Sequence, residues 1–180
     1  MKIVKILGII LLLALSYFIV RKPIRKAYYD YMYEKGKKNS IVWKKDSKLK
    51  WSDFKSTELE YSFTSVGIAN RYEFNHDLTI DYKSETLFFP LDSYVSDTSD
   101  LSYLELQEYR FDLCEIYRRK LERKIMTMKF KEFPKSRKDS VDLNTDIYYD
   151  LFEKEWEKIV SLPKNERLNE LNIIKNILKE

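Results

Sequence analysis

Four carboxylates, Glu105, Glu108, Asp112 and Glu115, follow one another at intervals of three, four and three residues. On a helix each is then the surface neighbour of the next. Such a row can share a hard cation such as calcium, or it can pair with bases one turn away. Both readings stand at this point, with Arg119 one turn beyond Glu115 and lysines available to Asp112. A histidine can act as a general base when a nucleophile stands beside it. The one histidine, His76, lies in Asn75-His76-Asp77, has no serine or cysteine at a telling spacing, and reads as part of a hairpin turn. Cys114 is the only cysteine, which excludes an intrachain disulfide and a cysteine-based zinc site; in its apolar surroundings it reads as a small buried side chain.

The elements that must position these groups change character midway along the chain. From Ile41 to Phe89, β-branched and aromatic residues dominate: Ile41-Val42-Trp43, Tyr61 to Phe74, Leu78 to Tyr82, and Thr86 to Phe89 before Pro90. This pattern predicts three or four antiparallel strands. From Leu101 to about Met128 the period becomes helical. Leu106, Leu113, Tyr117 and Leu121 form a packing stripe, and Glu105, Glu108, Asp112, Glu115, Arg119 and Glu122 form a stripe for water or a partner. Residues 131–142, with Pro134, read as a connecting loop. A second helix is expected over Thr145 to Val160 with Tyr148, Phe152, Trp156 and Ile159 on one side. A third follows Ser161-Leu162-Pro163 with Leu168, Leu171, Ile174 and Leu178 inward. A small antiparallel sheet followed by a long helix and two C-terminal helices is an α+β arrangement.

The 180 residues are 44% apolar and 34% charged, enough for one ordinary core. Three glycines and four prolines argue against dinucleotide-binding turns, and no phosphate-cradling loop is present. The formal charge of +4 is spread along most of the chain. Basic clusters at Arg21-Lys22, Arg25-Lys26, Lys35 to Lys38 and Arg118 to Lys120 lack stacking aromatics, so nucleic acid is not an expected partner. The N-terminus reads as a membrane signal: Lys2 and Lys5 precede an apolar run from Ile6 to Val20, closed by Arg21-Lys22-Pro23. Fifteen helical residues rise about 22 Å, short of the roughly 30 Å hydrocarbon core, so a span needs snorkelling at Lys5 and Arg21. A cleaved signal would leave the apolar Tyr17 to Val20 at the mature end, so an uncleaved single-pass anchor fits better. Residues 1–33 are therefore expected to form an anchor or signal segment with a juxtamembrane extension, and 34–180 one domain. The basic excess after the run favours a cytoplasmic domain, and charge alone does not settle the side.

Four segments in order carry a resemblance: Trp51-Ser52-Asp53-Phe54-Lys55, Thr64-Ser65-Val66-Gly67-Ile68, Asp92-Ser93-Tyr94-Val95, and Phe111 through Leu121. They resemble the landmarks W-x-D-F-K-G, T-S-x-G-I, K-S-W-V and H-E-x-x-H-F-D-I-A-E-I-Y-A-R-K-L of a bacterial uncharacterised-domain family of predicted secreted, zincin-like zinc proteases. The likeness covers about residues 41–130 and implies a zincin-like helix in a periplasmic or otherwise extracytoplasmic domain. It also gives Leu106 and Arg110 the places of the two histidine ligands and Gln107 that of the general-base glutamate. Such a zinc site needs imidazoles at i and i+4 with a carboxylate beside the first. Leucine has no lone pair, arginine stays protonated, and a glutamine amide does not take a proton. No catalytic residue, metal ligand or cofactor is therefore expected. The implied protein is a catalytically inactive, membrane-tethered interaction or structural protein of the bacterial envelope, its protein partner unknown. The alternative is a peptidase-like hydrolase with an unrecognised site in the old cleft, built on Glu108 or another carboxylate. Arg110 has two possible courses: into the pocket, to pair with a carboxylate or tyrosine, or along the helix edge to solvent.

Overall fold

The computed structural model describes residues 2–45, 48–56, 62–75, 77–99, 101–130 and 134–179; within these, the side chains of 2–15, 18, 19, 22, 25, 56, 134 and 135 fall outside the description. The chain divides into two compact units, Met1–Gly36 and Lys37–Glu180. The first is a single helix, α1 (Lys2–Lys37), which continues through Pro23 and the tyrosine-rich segment. It ends where Asn39 turns left-handed at φ 70°. There the Ser40 backbone N–H (2.9 Å) and Oγ (2.7 Å) both donate to the Lys37 carbonyl, satisfying one of the last helical acceptors. Among the described residues no helix is long and apolar enough to cross a membrane. The expected anchor, Ile6 to Val20, has most of its side chains outside the described ones.

The second unit is α+β. Strands β1 (Ile41–Val42), β3 (Val66–Phe74) and β4 (Ile80–Phe88) form an antiparallel sheet in the order β1-β4-β3, and β2 (Lys55–Ser56) pairs in parallel with β5 (Tyr94–Val95). The two short strands expected over 78–89 are one continuous strand. Lys83-Ser84-Glu85 keeps the alternation, placing Ile80, Tyr82, Ser84, Thr86 and Phe88 inward. The inward Ser84 hid that continuity in the sequence; like Thr86, it finds its partner on the helix behind the sheet.

Helix α2 (Leu101–Met126) lies between this sheet on one side and α3 (Pro134–Ser161) with α4 (Lys164–Lys179) on the other. Covered on several sides, it buries Tyr109, Phe111, Leu113, Cys114, Ile116 and Tyr117 in succession, so the division into one packing stripe and one stripe for water or a partner is corrected. Glu115, placed on that stripe, is only 3% exposed. Helix α3 begins at Pro134, well before the expected Thr145, so the loop expected over 131–142 is corrected for 134–142, and 131–133 lie outside the described residues. Proline fits the first turn because its missing N–H would have no intrahelical acceptor there. Within residues 135–140 only charged residues and serines occur, and Val141 alone reports an inner face. In α4, Leu171, Ile174 and Leu178 point inward as expected, but Leu168 is exposed. The half-buried Arg167 takes the inner edge instead, its Nη2 donating to the Leu162 carbonyl.

Two clusters of buried side chains run together through this unit. The larger joins Phe54, Val66 and Phe88 to the first half of α2 and to Phe152, Trp156, Ile159, Leu171, Ile174 and Leu178. The smaller gathers Ile80, Tyr82, Leu121, Ile125, Phe130 and Val141.

Candidate functional site

The three positions that the resemblance singles out lie on α2, where Leu106 and Arg110 stand one turn apart and Gln107 lies beside them. Leu106 packs against the larger core and Gln107 is buried. Arg110 does not run to solvent. Its Nη2 donates to both oxygens of Glu153 on α3, at 2.8 and 2.9 Å. Its guanidinium lies 5.3 Å from the ring centroid of Phe152 and 5.5 Å from that of Trp156. The side chain is 12% exposed and that of Glu153 30%, so the pair is partly desolvated and stronger than a surface bridge. Nε of Arg110 has no acceptor among the described residues. Of the two courses open to Arg110 in the sequence, the structure takes pairing with a carboxylate.

Around this pair the Cys114 thiol and the Tyr149 hydroxyl are held toward their protonated forms. Cys114, one turn on, is fully buried, and burial, with Glu115 and Glu153 nearby, pushes its thiol far up and opposes a reactive thiolate. The Tyr149 hydroxyl is pushed up to about 12 by burial and then by the Glu153 carboxylate. It donates to the Val66 carbonyl at 3.1 Å, tying α3 to β3.

The four carboxylates do not converge. Glu115 accepts from Arg118 (2.7 and 2.8 Å), Arg119 (2.9 Å) and the Thr86 hydroxyl (2.8 Å), fixing α2 to β4. Burial alone would raise its carboxyl, but the Arg118 and Arg119 hydrogen bonds, the Arg118 charge and Thr86 outweigh it and hold Glu115 below the usual range. Asp112 accepts from the Trp43 indole N–H at 2.7 Å, and Arg119 stacks over that ring at 5.4 Å. Burial raises Asp112, and burial first, with Asp112 beside it, raises Glu108. Glu105 meets Lys175 at 3.3 Å. Of the two readings of this row, Glu115 follows base pairing, while Asp112 finds an indole where a lysine was expected. His76 lies outside the described residues.

Tryptophan and arginine partners were the harder ones to find. Glu153 and Trp43 were not singled out in the sequence. The available signal for Glu153 was its position next to Phe152 and three before Trp156, the side of α3 expected to pack. The four quoted landmarks, by contrast, meet in space. Lys55 N–H donates to the Ser93 carbonyl (2.8 Å) and Ser65 N–H to Ser93 Oγ (3.0 Å), linking the first three. Phe54 packs on Phe88 at 5.0 Å and Phe88 on Phe111 at 6.2 Å, carrying the contact to the fourth. A methyl group on Gly67 would stand 3.2 Å from the Phe89 ring, so the glycine lets that ring lie against the strand.

The zinc that the resemblance would imply does not fit these residues. Among the described residues no three His, Cys, Asp or Glu side chains are grouped to hold a metal ion. Arg110 already places a fixed cation against the carboxylate of Glu153. Compared with known proteins, the chain matches no family model, no curated protein and no solved structure.

Proposed function

We propose that the second unit is a zincin-like domain without peptidase chemistry, tethered to the bacterial envelope by the N-terminal segment and acting by binding. The observation that carries this reading is the Arg110–Glu153 pair between Phe152 and Trp156. At the position the resemblance gives to a histidine ligand, a permanent cation satisfies a carboxylate of the neighbouring helix. A metal ion there would face charge repulsion and the loss of that ion pair. The spatial meeting of the four landmarks supports the kinship, since it gives each a packing reason to persist. Tethering rests on the apolar run of Ile6 to Val20 and the basic residues flanking it, and an extracytoplasmic side rests on the resemblance alone.

Two measurements test the reading. Metal analysis of purified residues 37–180 is expected to find no stoichiometric transition metal; bound zinc, or peptidase activity abolished by a chelator, would overturn it and restore the hydrolase alternative. The variant Leu106→His/Gln107→Glu/Arg110→His tests the kinship. It is expected to gain zinc binding with the two new imidazoles one turn apart and Glu153 released. A folded variant that takes up no zinc would count against zincin ancestry.

A further inference from the structure

The hairpin turn joining β3 to β4, the end of α2 and the start of α3 meet at one end of the second unit. Phe74 packs edge-on against Phe130 at 5.1 Å, and the Arg137 guanidinium lies 5.8 Å from the Phe74 ring centroid. Among the described side chains of residues 123–138 the charged ones are all basic: Arg123, Lys124, Lys129, Arg137 and Lys138. Arg123, Lys124, Lys129 and Lys138 are exposed and Arg137 is half-buried. Asp142 neutralises one of these bases, Lys138, while other nearby acids are engaged elsewhere. Asp142 takes Lys138 and the Tyr72 hydroxyl, Glu122 takes Arg118, and Asp77 holds Thr79, while Asp139 is exposed.

An independent observation lies at the hairpin tip. Leu78 has φ 67°, the left-handed region that turns usually fill with glycine or asparagine. Its N–H donates to the Asn75 carbonyl (3.3 Å) and Asn75 N–H to the Thr79 carbonyl (2.9 Å), so the turn requires that backbone angle. The leucine side chain is nonetheless 37% exposed, and Met126, at the end of α2, is 57% exposed. A bulky apolar residue held in a strained backbone and left in water serves neither the turn nor the core.

We propose that this end of the second unit docks on an anionic lipid surface, its basic side chains on phosphate headgroups and Leu78 and Met126 entering the interface. Basic charge with interspersed apolar side chains is the composition that binds such surfaces, each base contributing through the negative surface potential. A nucleic-acid backbone would use the charge but not the aliphatics, and the aromatics here, Phe74 and Phe130, are packed on each other rather than offered for stacking. The surface lies wholly within the second unit and needs no tether, so its failure leaves the tether reading untouched.

Residues 37–180, which hold their own sheet and core, are to be sedimented with large unilamellar vesicles of phosphatidylcholine alone or mixed with phosphatidylglycerol. Binding is expected only with phosphatidylglycerol present, and is expected to weaken at raised salt. Arg123→Glu/Lys124→Glu/Lys129→Glu lowers the partition coefficient on the order of a hundredfold. Leu78→Gly lowers it several-fold while the melting temperature rises, because glycine accepts the turn's backbone angle. Equal binding to neutral vesicles, no binding to anionic ones, tighter binding to duplex DNA than to vesicles, or a Leu78→Gly protein that binds unchanged would each overturn the proposal.

Discussion

Arg110 stands where the proposed kinship would put a metal ligand, and its surroundings say what removing it costs. Truncating Arg110→Ala removes a cation from between two aromatic rings and leaves Glu153 with a partly desolvated charge. The expected loss is about 2–3 kcal/mol of unfolding free energy. Arg110→Met keeps much of the volume and is expected to cost about 1 kcal/mol less than the alanine variant, because Glu153, 30% exposed, still reaches water. Pairing Arg110→Met with Glu153→Gln is expected to recover most of the remainder, since removing both ends of a desolvated pair leaves no orphaned charge. Denaturant titration of the parent, Arg110→Met, Glu153→Gln and the double variant gives the coupling directly. Additive losses would mean that the two groups do not sense each other and that the pair is a surface contact.

Helix α2 shows at the element scale why a stripe of acids need not face water. Glu115 ties it to β4 through Thr86 and to its own next turn through Arg118 and Arg119. Its carboxyl is held below the usual range, so the folded state binds that proton less readily than the unfolded chain. The stabilisation is fully present above the unfolded glutamate value of about 4.3 and fades as pH falls through the lower folded value. Glu108 and Asp112, both raised, act in the opposite sense and favour the folded state as acid is added. Glu115→Gln is therefore expected to lose about 3 kcal/mol near neutral pH, and the gap to the parent protein should narrow below about pH 4. Melting temperatures of the two proteins across that range test this. A constant gap would show that Glu115 contributes shape rather than charge. The turn at Leu78 makes a separate element-level prediction: Leu78→Gly is expected to stabilise the hairpin by about 1 kcal/mol, read as a rise in melting temperature.

Much of the whole molecule was legible because hydrophobic period and tertiary packing agree. Phe152, Trp156 and Ile159 on α3, and Leu171, Ile174 and Leu178 on α4, are buried where their spacing placed them. What escaped were positions where a polar side chain does core work. Lys83-Ser84-Glu85 broke β4 on paper, Glu115 sat on the wrong side of α2, and the polar first turns of α3 read as loop. A partner on another element decides each of these, and no local pattern records it. Whether the two buried clusters form one cooperative unit depends on the elements that cross between them. Helix α2 supplies Phe111 and Leu113 to the larger and Leu121 and Ile125 to the smaller, β4 supplies Phe88 to one and Tyr82 to the other, and Tyr148 and Ile68 pack on both. Because neither cluster can open without breaking α2 and β4, residues 37–180 are expected to unfold in a single calorimetric transition of about 100 kcal/mol, with van't Hoff and calorimetric enthalpies equal. Leu121→Ala in the smaller cluster and Phe152→Ala in the larger should each lower that one transition, by about 2–5 and 3–5 kcal/mol respectively. If Leu121→Ala instead splits the melt in two, with the upper transition unmoved, the hairpin end is a separate folding unit, and α2 couples the clusters in sequence without coupling them in energy.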